Sequence, residues 1–222
     1  MSTAEVPAVS PAPAEKEGPN LFRTVLTVAW GAILIALVLE IFLLFVPLIA
    51  GTPLKSLGQL VADLAQKISW SFLVCVGVAL GTAIRRAQPA AMGALGLISA
   101  PLAFTAAKGV HKGVSEALGL SAVALAASPL VIAGLKALEY CVLGFVLGKL
   151  AKKGLGLKGY LGVGALAGLS FGTLIVIVLN RASPPPVAAA TVVTRGINEM
   201  LFPIGCSLVI YAAEVLAKRI KT

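Results

Sequence analysis

The sequence has few of the residues that enzymes use for catalysis and metal binding. It contains one histidine, His111, and one aspartate, Asp63. No HExxH, GxGxxG or Walker-type loop occurs, and a Ser-His-Asp set has no candidates within the apolar segments. The three cysteines, Cys75, Cys141 and Cys206, lie far apart and indicate small packing residues rather than a disulfide framework or a zinc site. We therefore expect no enzymatic activity, no cofactor and no bound metal.

Charge is also scarce. Only 12% of the 222 residues are charged, 59% are hydrophobic, and the mean hydropathy is +1.00. These values lie outside the range of soluble globular proteins. Six long apolar segments fill most of the chain, and a spanning helix needs about 20 apolar residues. The sequence therefore predicts an all-α polytopic membrane protein with six transmembrane helices in one bundle, surrounded by the lipid bilayer.

The chain divides into a polar tail and an apolar remainder. Residues 1–20 are rich in Ala, Pro, Ser and Glu and predict a disordered cytoplasmic tail, whereas residues 21–222 form the transmembrane domain. The predicted spans cover about 23–50, 71–84, 90–107, 121–150, 160–179 and 197–217. We expect a bend or an interruption near Pro129. Residues 53–68 predict an amphipathic helix that lies in the membrane interface or packs on the bundle.

The basic residues predict the orientation in the membrane. With the N-terminus inside, the segments between spans hold eleven Lys and Arg on the inner side and six on the outer side. The positive-inside rule then predicts cytoplasmic termini, and we expect an integral protein of a bacterial inner membrane. The net charge of +9 follows from these flanking residues, so we expect no binding of nucleic acid.

A threefold repeat is a further hypothesis. Basic doublets begin at residues 85, 152 and 218, and the three cysteines recur at intervals of 66 and 65 residues. The repeats would cover residues 21–87, 88–154 and 155–222, each a helix hairpin that ends in two cations. Hairpins of similar size with basic ends would give the same pattern without a true repeat.

Polar residues within the spans are the candidates for function, because an ionisable group in hydrocarbon is costly unless it is paired or faces a protein interior. The candidates for binding a substrate or ion are Glu40, Lys136, Glu139, Asn180, Arg195, Asn198 and Glu199. Lys136 and Glu139 are three residues apart on one helix, so we expect them to pair. Pro203 cannot donate to the carbonyl of Glu199, which predicts a loosened backbone there. Pairing that only neutralises stray charge is the alternative interpretation.

Two functions remain open from the sequence. The first is a small membrane transporter or channel for a small solute or ion, with Glu40 and Glu139 as binding or coupling carboxylates. The second is a non-catalytic subunit of a larger membrane complex, or a homo-oligomer. Small residues four apart favour the second, because they allow close helix contacts: Ser99, Ala103 and Ala107 on the third span, and Gly164, Gly168 and Gly172 on the fifth.

Overall fold

A computed structural model describes residues 21–84, 86–120, 127–184 and 186–219. Within these ranges six helices are long and apolar enough to cross a membrane, and no strand occurs. The helices are α1 (Leu21–Ile49), α2 (Leu57–Ala83, with a 3₁₀ turn at Gly81–Ala83), α3 (Gln88–Ala117), α4 (Pro129–Lys153), α5 (Leu157–Ala182) and α6 (Ala189–Arg219). The prediction of a six-helix, all-α membrane bundle is confirmed. The predicted tail, residues 1–20, lies outside the described ranges.

Each helix packs against the next one along the chain, and α6 also contacts α1, α2 and α4. Large apolar side chains point outward: Trp30 is 62% exposed, Leu34 is 58% exposed and Leu102 is 64% exposed. Smaller side chains, among them Ala32 and Ala100, fill the interior. An apolar exterior around a tightly packed interior fits a protein surrounded by lipid, so this is an integral membrane protein.

Small residues bring neighbouring helices of the same chain close together. A Cβ at Gly96 of α3 would overlap the carbonyl group of Tyr140 on α4, and a Cβ at Gly168 of α5 would overlap the carbonyl group of Met200 on α6. Ala103 and Ala107 are likewise buried in the core. The small-residue faces of the third and fifth spans therefore serve packing within the bundle.

The amphipathic segment before the second span is the first half of α2. Ser56 caps this helix, because its hydroxyl accepts from the backbone of Gln59 while the Gln59 side chain accepts from the backbone of Ser56. The helix then continues without a break to Leu80. Of the two locations left open by the sequence, the described structure shows the segment packed on the bundle.

Several predicted spans have different limits in the structure. α6 begins at Ala189, eight residues before the predicted start, and α3 continues to Ala117, ten residues beyond the predicted end. On this extension of α3, Nε2 of His111 lies 3.1 Å from Oδ1 of Asp63 on α2. α4 begins at Pro129, because a proline is tolerated in the first turn of a helix but not in its interior. The predicted residues 121–126 of this span lie outside the described residues.

The helices α5 and α6 pack against each other, and both depart from regular α-helical hydrogen bonding at about the same level of the bundle. α5 contains a π-helical turn at Gly168–Gly172, and Gly172 lies against the backbone of Glu199. α6 runs through Pro203 as an uninterrupted helix, so the predicted loosening does not break it. Pro203 nevertheless leaves the carbonyl of Glu199 without its usual intrahelical donor. Local π turns often occur at functional sites, so Glu199, which lies beside this turn, is a candidate functional residue.

Candidate functional site

A cavity of about 1150 Å³ occupies one half of the bundle. It lies between the ends of α1, α3 and α5 and the beginnings of α2, α4 and α6. Its polar lining comes mainly from the first half of α2, the second half of α3 and the first half of α6. The charged residues that line it are Lys55, Asp63, Lys67, Lys108, Lys112, Lys136, Arg195 and Glu199, together with His111.

A cluster of three charges lies at the inner end of the cavity. The Nζ of Lys136 is 2.8 Å from Oε2 of Glu139 and 2.5 Å from Oε2 of Glu199. Lys136 is 5% exposed and Glu139 is fully buried, whereas the side chain of Glu199 is 14% exposed. One ammonium group thus faces two carboxylates, and the cluster carries a net charge of −1 when all three groups are ionised.

Lys136 and Glu199 lie well inside their helices rather than at the ends. Lys136 follows the first residue of α4 by seven positions, and Glu199 follows the first residue of α6 by ten. At 1.5 Å per residue these positions lie about 10 and 15 Å along their helices. A hydrocarbon core is about 30 Å thick, so both positions are far enough along their helices to lie within it.

Aromatic side chains surround the ammonium group of Lys136. Its Nζ is 5.4 Å from the ring centre of Trp70 and 5.9 Å from that of Tyr140, within the range of cation–π attraction. Trp70 also makes edge contacts with Tyr140 and with Phe202. These rings fix the position of Lys136 while leaving its three donor hydrogens to the two carboxylates.

Glu139 uses only one of its carboxylate oxygens within the described structure. Oε2 accepts from Lys136, whereas Oε1 is buried and makes no hydrogen bond with a described residue. The hydroxyl of Tyr140, next in sequence, is also buried and makes no hydrogen bond there. Buried polar atoms of this kind are rare in native proteins and call for a structural or functional reason.

Two further ion pairs lie toward the mouth of the cavity. Lys67 on α2 pairs with Glu40 on α1, and both side chains are largely buried. Asp63 on α2 pairs with Lys55 and lies 3.1 Å from Nε2 of His111 on α3. These contacts link α1, α2 and α3 by charge.

The predicted candidates do not form one group. Lys136, Glu139 and Glu199 come together, and the expected pairing of Lys136 with Glu139 is present. Arg195 forms a second group, since its Nη1 donates to Oδ1 of Asn180 at 2.7 Å and to the hydroxyl of Ser183 at 3.1 Å.

The remaining two candidates, Glu40 and Asn198, are separate from each other. Glu40 contacts Lys67 and does not line the cavity directly, whereas Asn198 does line it. The Nδ2 of Asn198 is 3.5 Å from Oε1 of Glu199, at the long limit for a hydrogen bond. Asn198 is therefore a wall residue beside the charge cluster.

Several cavity residues were missed from the sequence. Lys67 and Lys108 count in the sequence only as outer flanking charges, Asp63 lies on the polar side of the amphipathic segment, and Trp70 follows that segment. The missed signal is a pair of polar stripes at helical spacing. One runs through 59, 63, 66 and 67 on α2, and the other through 108, 111, 112 and 115 on α3.

The described residues contain no group of three or more His, Cys, Asp and Glu side chains that could hold a metal ion. The cysteines Cys75, Cys141 and Cys206 are free thiols, and Cys75 and Cys206 are buried. The side chains at the site can bind a ligand through charge, hydrogen bonds and aromatic faces.

Comparison with protein-family models, with curated proteins and with solved structures found no match.

Proposed function

We propose that this protein is a membrane transporter for a small solute, with Lys136, Glu139 and Glu199 as the binding and coupling site. The observation that carries the proposal is a cavity of about 1150 Å³ that ends at this buried cluster. Binding sites of many transporters lie near the middle of the bilayer, between helices with interrupted hydrogen bonding. Pro203 and the π turn of α5 supply such interruptions beside Glu199.

A transporter is favoured over an open channel by the packing in the other half of the bundle. There Gly148 of α4 lies against Pro89 of α3, and Tyr160 of α5 donates to Glu214 of α6 at 2.7 Å. The Nζ of Lys152 also donates to the carbonyl of Arg86 at 2.9 Å. A cavity on one side and packed helices on the other is the form expected of one state in an alternating-access cycle.

The orientation of the protein in the membrane is part of the same proposal. The excess of basic residues on the side of the N-terminus favours cytoplasmic termini in a bacterial inner membrane. With that orientation the cavity opens away from the cytoplasm. The solute would then enter from outside, meet the cluster at the inner end of the cavity and leave after the packed half opens.

The experiment compares three sets of proteoliposomes, which contain the wild-type protein, Glu139→Gln or Glu116→Gln. Glu116 is a matched control, because it is an exposed carboxylate 3.7 Å from Lys112 and does not line the cavity. Solutes of different charge are added outside, and currents and internal pH are recorded. We expect flux with wild-type protein and Glu116→Gln, and background flux with Glu139→Gln. Equal flux with all three proteins would contradict the assigned site.

The alternative, a non-catalytic subunit of a larger complex, depended on small-residue faces that were free to contact partners. Those faces are occupied within the bundle at Gly96 and Gly168, so they no longer favour it. Self-association remains compatible with transport. Light scattering of the purified protein in mild detergent would give its oligomeric state.

A further inference from the structure

The charges around the cavity do not balance. Its lining includes six Lys and Arg side chains and two Asp and Glu side chains. Three more carboxylates, those of Glu40, Glu116 and Glu139, contact cations of the lining. Six cations therefore face five carboxylates, before any proton on His111 is counted. Inside a membrane an uncompensated cation is costly, which suggests that a ligand supplies the missing negative charge.

Two of the six cations form no ion pair among the described residues, although Asp63 and Glu199 attract the ammonium group of Lys108 from a longer distance. Lys108 on α3 is half-buried and forms neither an ion pair nor a hydrogen bond there. Arg195 on α6 is also half-buried and donates only to the neutral oxygens of Asn180 and Ser183. The other four cations each contact at least one carboxylate.

Each of these two cations has an aromatic side chain deeper on its own helix. Phe104 lies one turn below Lys108, and Phe202 lies two turns below Arg195. Both rings line the same cavity, as does Trp70. The cavity thus has the unpaired cations Lys108 and Arg195 nearer its mouth, and aromatic rings beside the Lys136–Glu199 pair nearer its inner end.

We propose that the cavity binds a small organic anion that has an apolar body. Lys108 and Arg195 hold the anionic group, and the guanidinium of Arg195 suits a carboxylate or phosphate because its planar fork makes paired hydrogen bonds. The body lies against Phe104 and Phe202. As a statement about the transported solute, this inference rests on the proposed function.

Binding is measured by calorimetry in a neutral maltoside detergent, with benzoate as the probe. Benzyl alcohol has the same ring without the charge, and acetate has the charge without the ring. Dihexanoyl phosphatidylglycerol tests whether the anionic group comes from a lipid headgroup. The protein variants are Lys108→Gln, Arg195→Gln and the control Lys149→Gln, an exposed lysine that does not line the cavity.

We expect benzoate to bind more tightly than benzyl alcohol, acetate or the lipid. Lys108→Gln and Arg195→Gln should each weaken benzoate binding by roughly tenfold, as expected when a hydrogen bond between charged groups is lost. Lys149→Gln should bind like the wild type. The inference is overturned if benzoate does not bind, if benzyl alcohol binds equally well, if only the lipid binds, or if neither cavity variant weakens binding.

The two proposals fail in different ways. Benzoate binding that depends on Arg195, without flux in proteoliposomes, would uphold the anion site and contradict transport. Flux of a neutral or cationic solute that depends on Glu139 would uphold transport and contradict the anion site.

Discussion

The Nζ of Lys136 lies 2.5 Å from Oε2 of Glu199 and so connects α4 to α6 at the inner end of the cavity. The same ammonium group also binds Glu139, one turn away on its own helix. Lys136 is therefore shared between a local partner and a partner 63 residues away in the chain. This sharing makes the cluster a connection between two helices of the bundle as well as a candidate binding site.

Replacing Lys136 alone should destabilise the protein. Lys136→Met leaves Glu139 without its counter-charge in a fully buried position, and removing one partner of a buried pair typically costs about 3–5 kcal/mol. Lys136→Met with Glu139→Leu should recover most of this loss, because the remaining carboxylate, that of Glu199, is partly exposed to the cavity and not fully buried. Thermal melting in detergent, monitored by tryptophan fluorescence, measures the stability of the single variant and of the double variant. A single variant as stable as the wild type would show that the pair is not compensating buried charge.

Part of this cluster could be predicted from the sequence and part could not. The pairing of Lys136 with Glu139 follows from their spacing of three residues on one helix. The contact with Glu199 depends on how α4, α5 and α6 pack, and no local pattern contains that information. The repeat of helix hairpins stays a prediction.

The polar face of α2 shows a different limit of sequence reasoning. The spacing of its apolar residues correctly indicates an amphipathic helix in the segment 53–68, of which the structure has the helix from Leu57 onward. Amphipathicity alone does not distinguish a polar face that meets lipid headgroups from one that meets an internal cavity. The second polar stripe, on α3, distinguishes the two cases. Two polar helix faces can enclose water only when their helices are neighbours, as α2 and α3 are.

The close contact of α3 and α4 predicts a strong effect of one added methyl group. Gly96→Ala would place a Cβ against the backbone of Tyr140, which cannot move as a flexible side chain can, so we expect a loss of about 1–3 kcal/mol. Gly113→Ala on the same helix is the control, since nothing lies within 4 Å of its added Cβ. Its melting temperature should equal or exceed that of the wild type. A Gly96→Ala protein with wild-type stability would contradict the packing described for these helices.

The orientation in the membrane can be tested by labelling single cysteines in intact cells. Lys112→Cys is at the cavity side and should react with a maleimide reagent that does not cross membranes. Lys153→Cys, at the end of α4 on the opposite side, should react only after the membrane is opened. The native chain measures the background, because Cys75 and Cys206 are buried and Cys141, which is partly exposed, is the one native thiol that could contribute a signal. The reverse labelling pattern would show that the termini face outward.

The most direct test of the central claim is solute flux through Lys136→Met with Glu139→Leu in proteoliposomes. The double variant removes a buried charge pair whose local role is compensation, so it should fold with a melting temperature close to that of the wild type. If the cluster binds or couples the solute, flux should nevertheless fall to that of protein-free liposomes. We predict a folded and inactive protein. A double variant that is folded and transports as fast as the wild type would contradict the assignment of this cluster to transport.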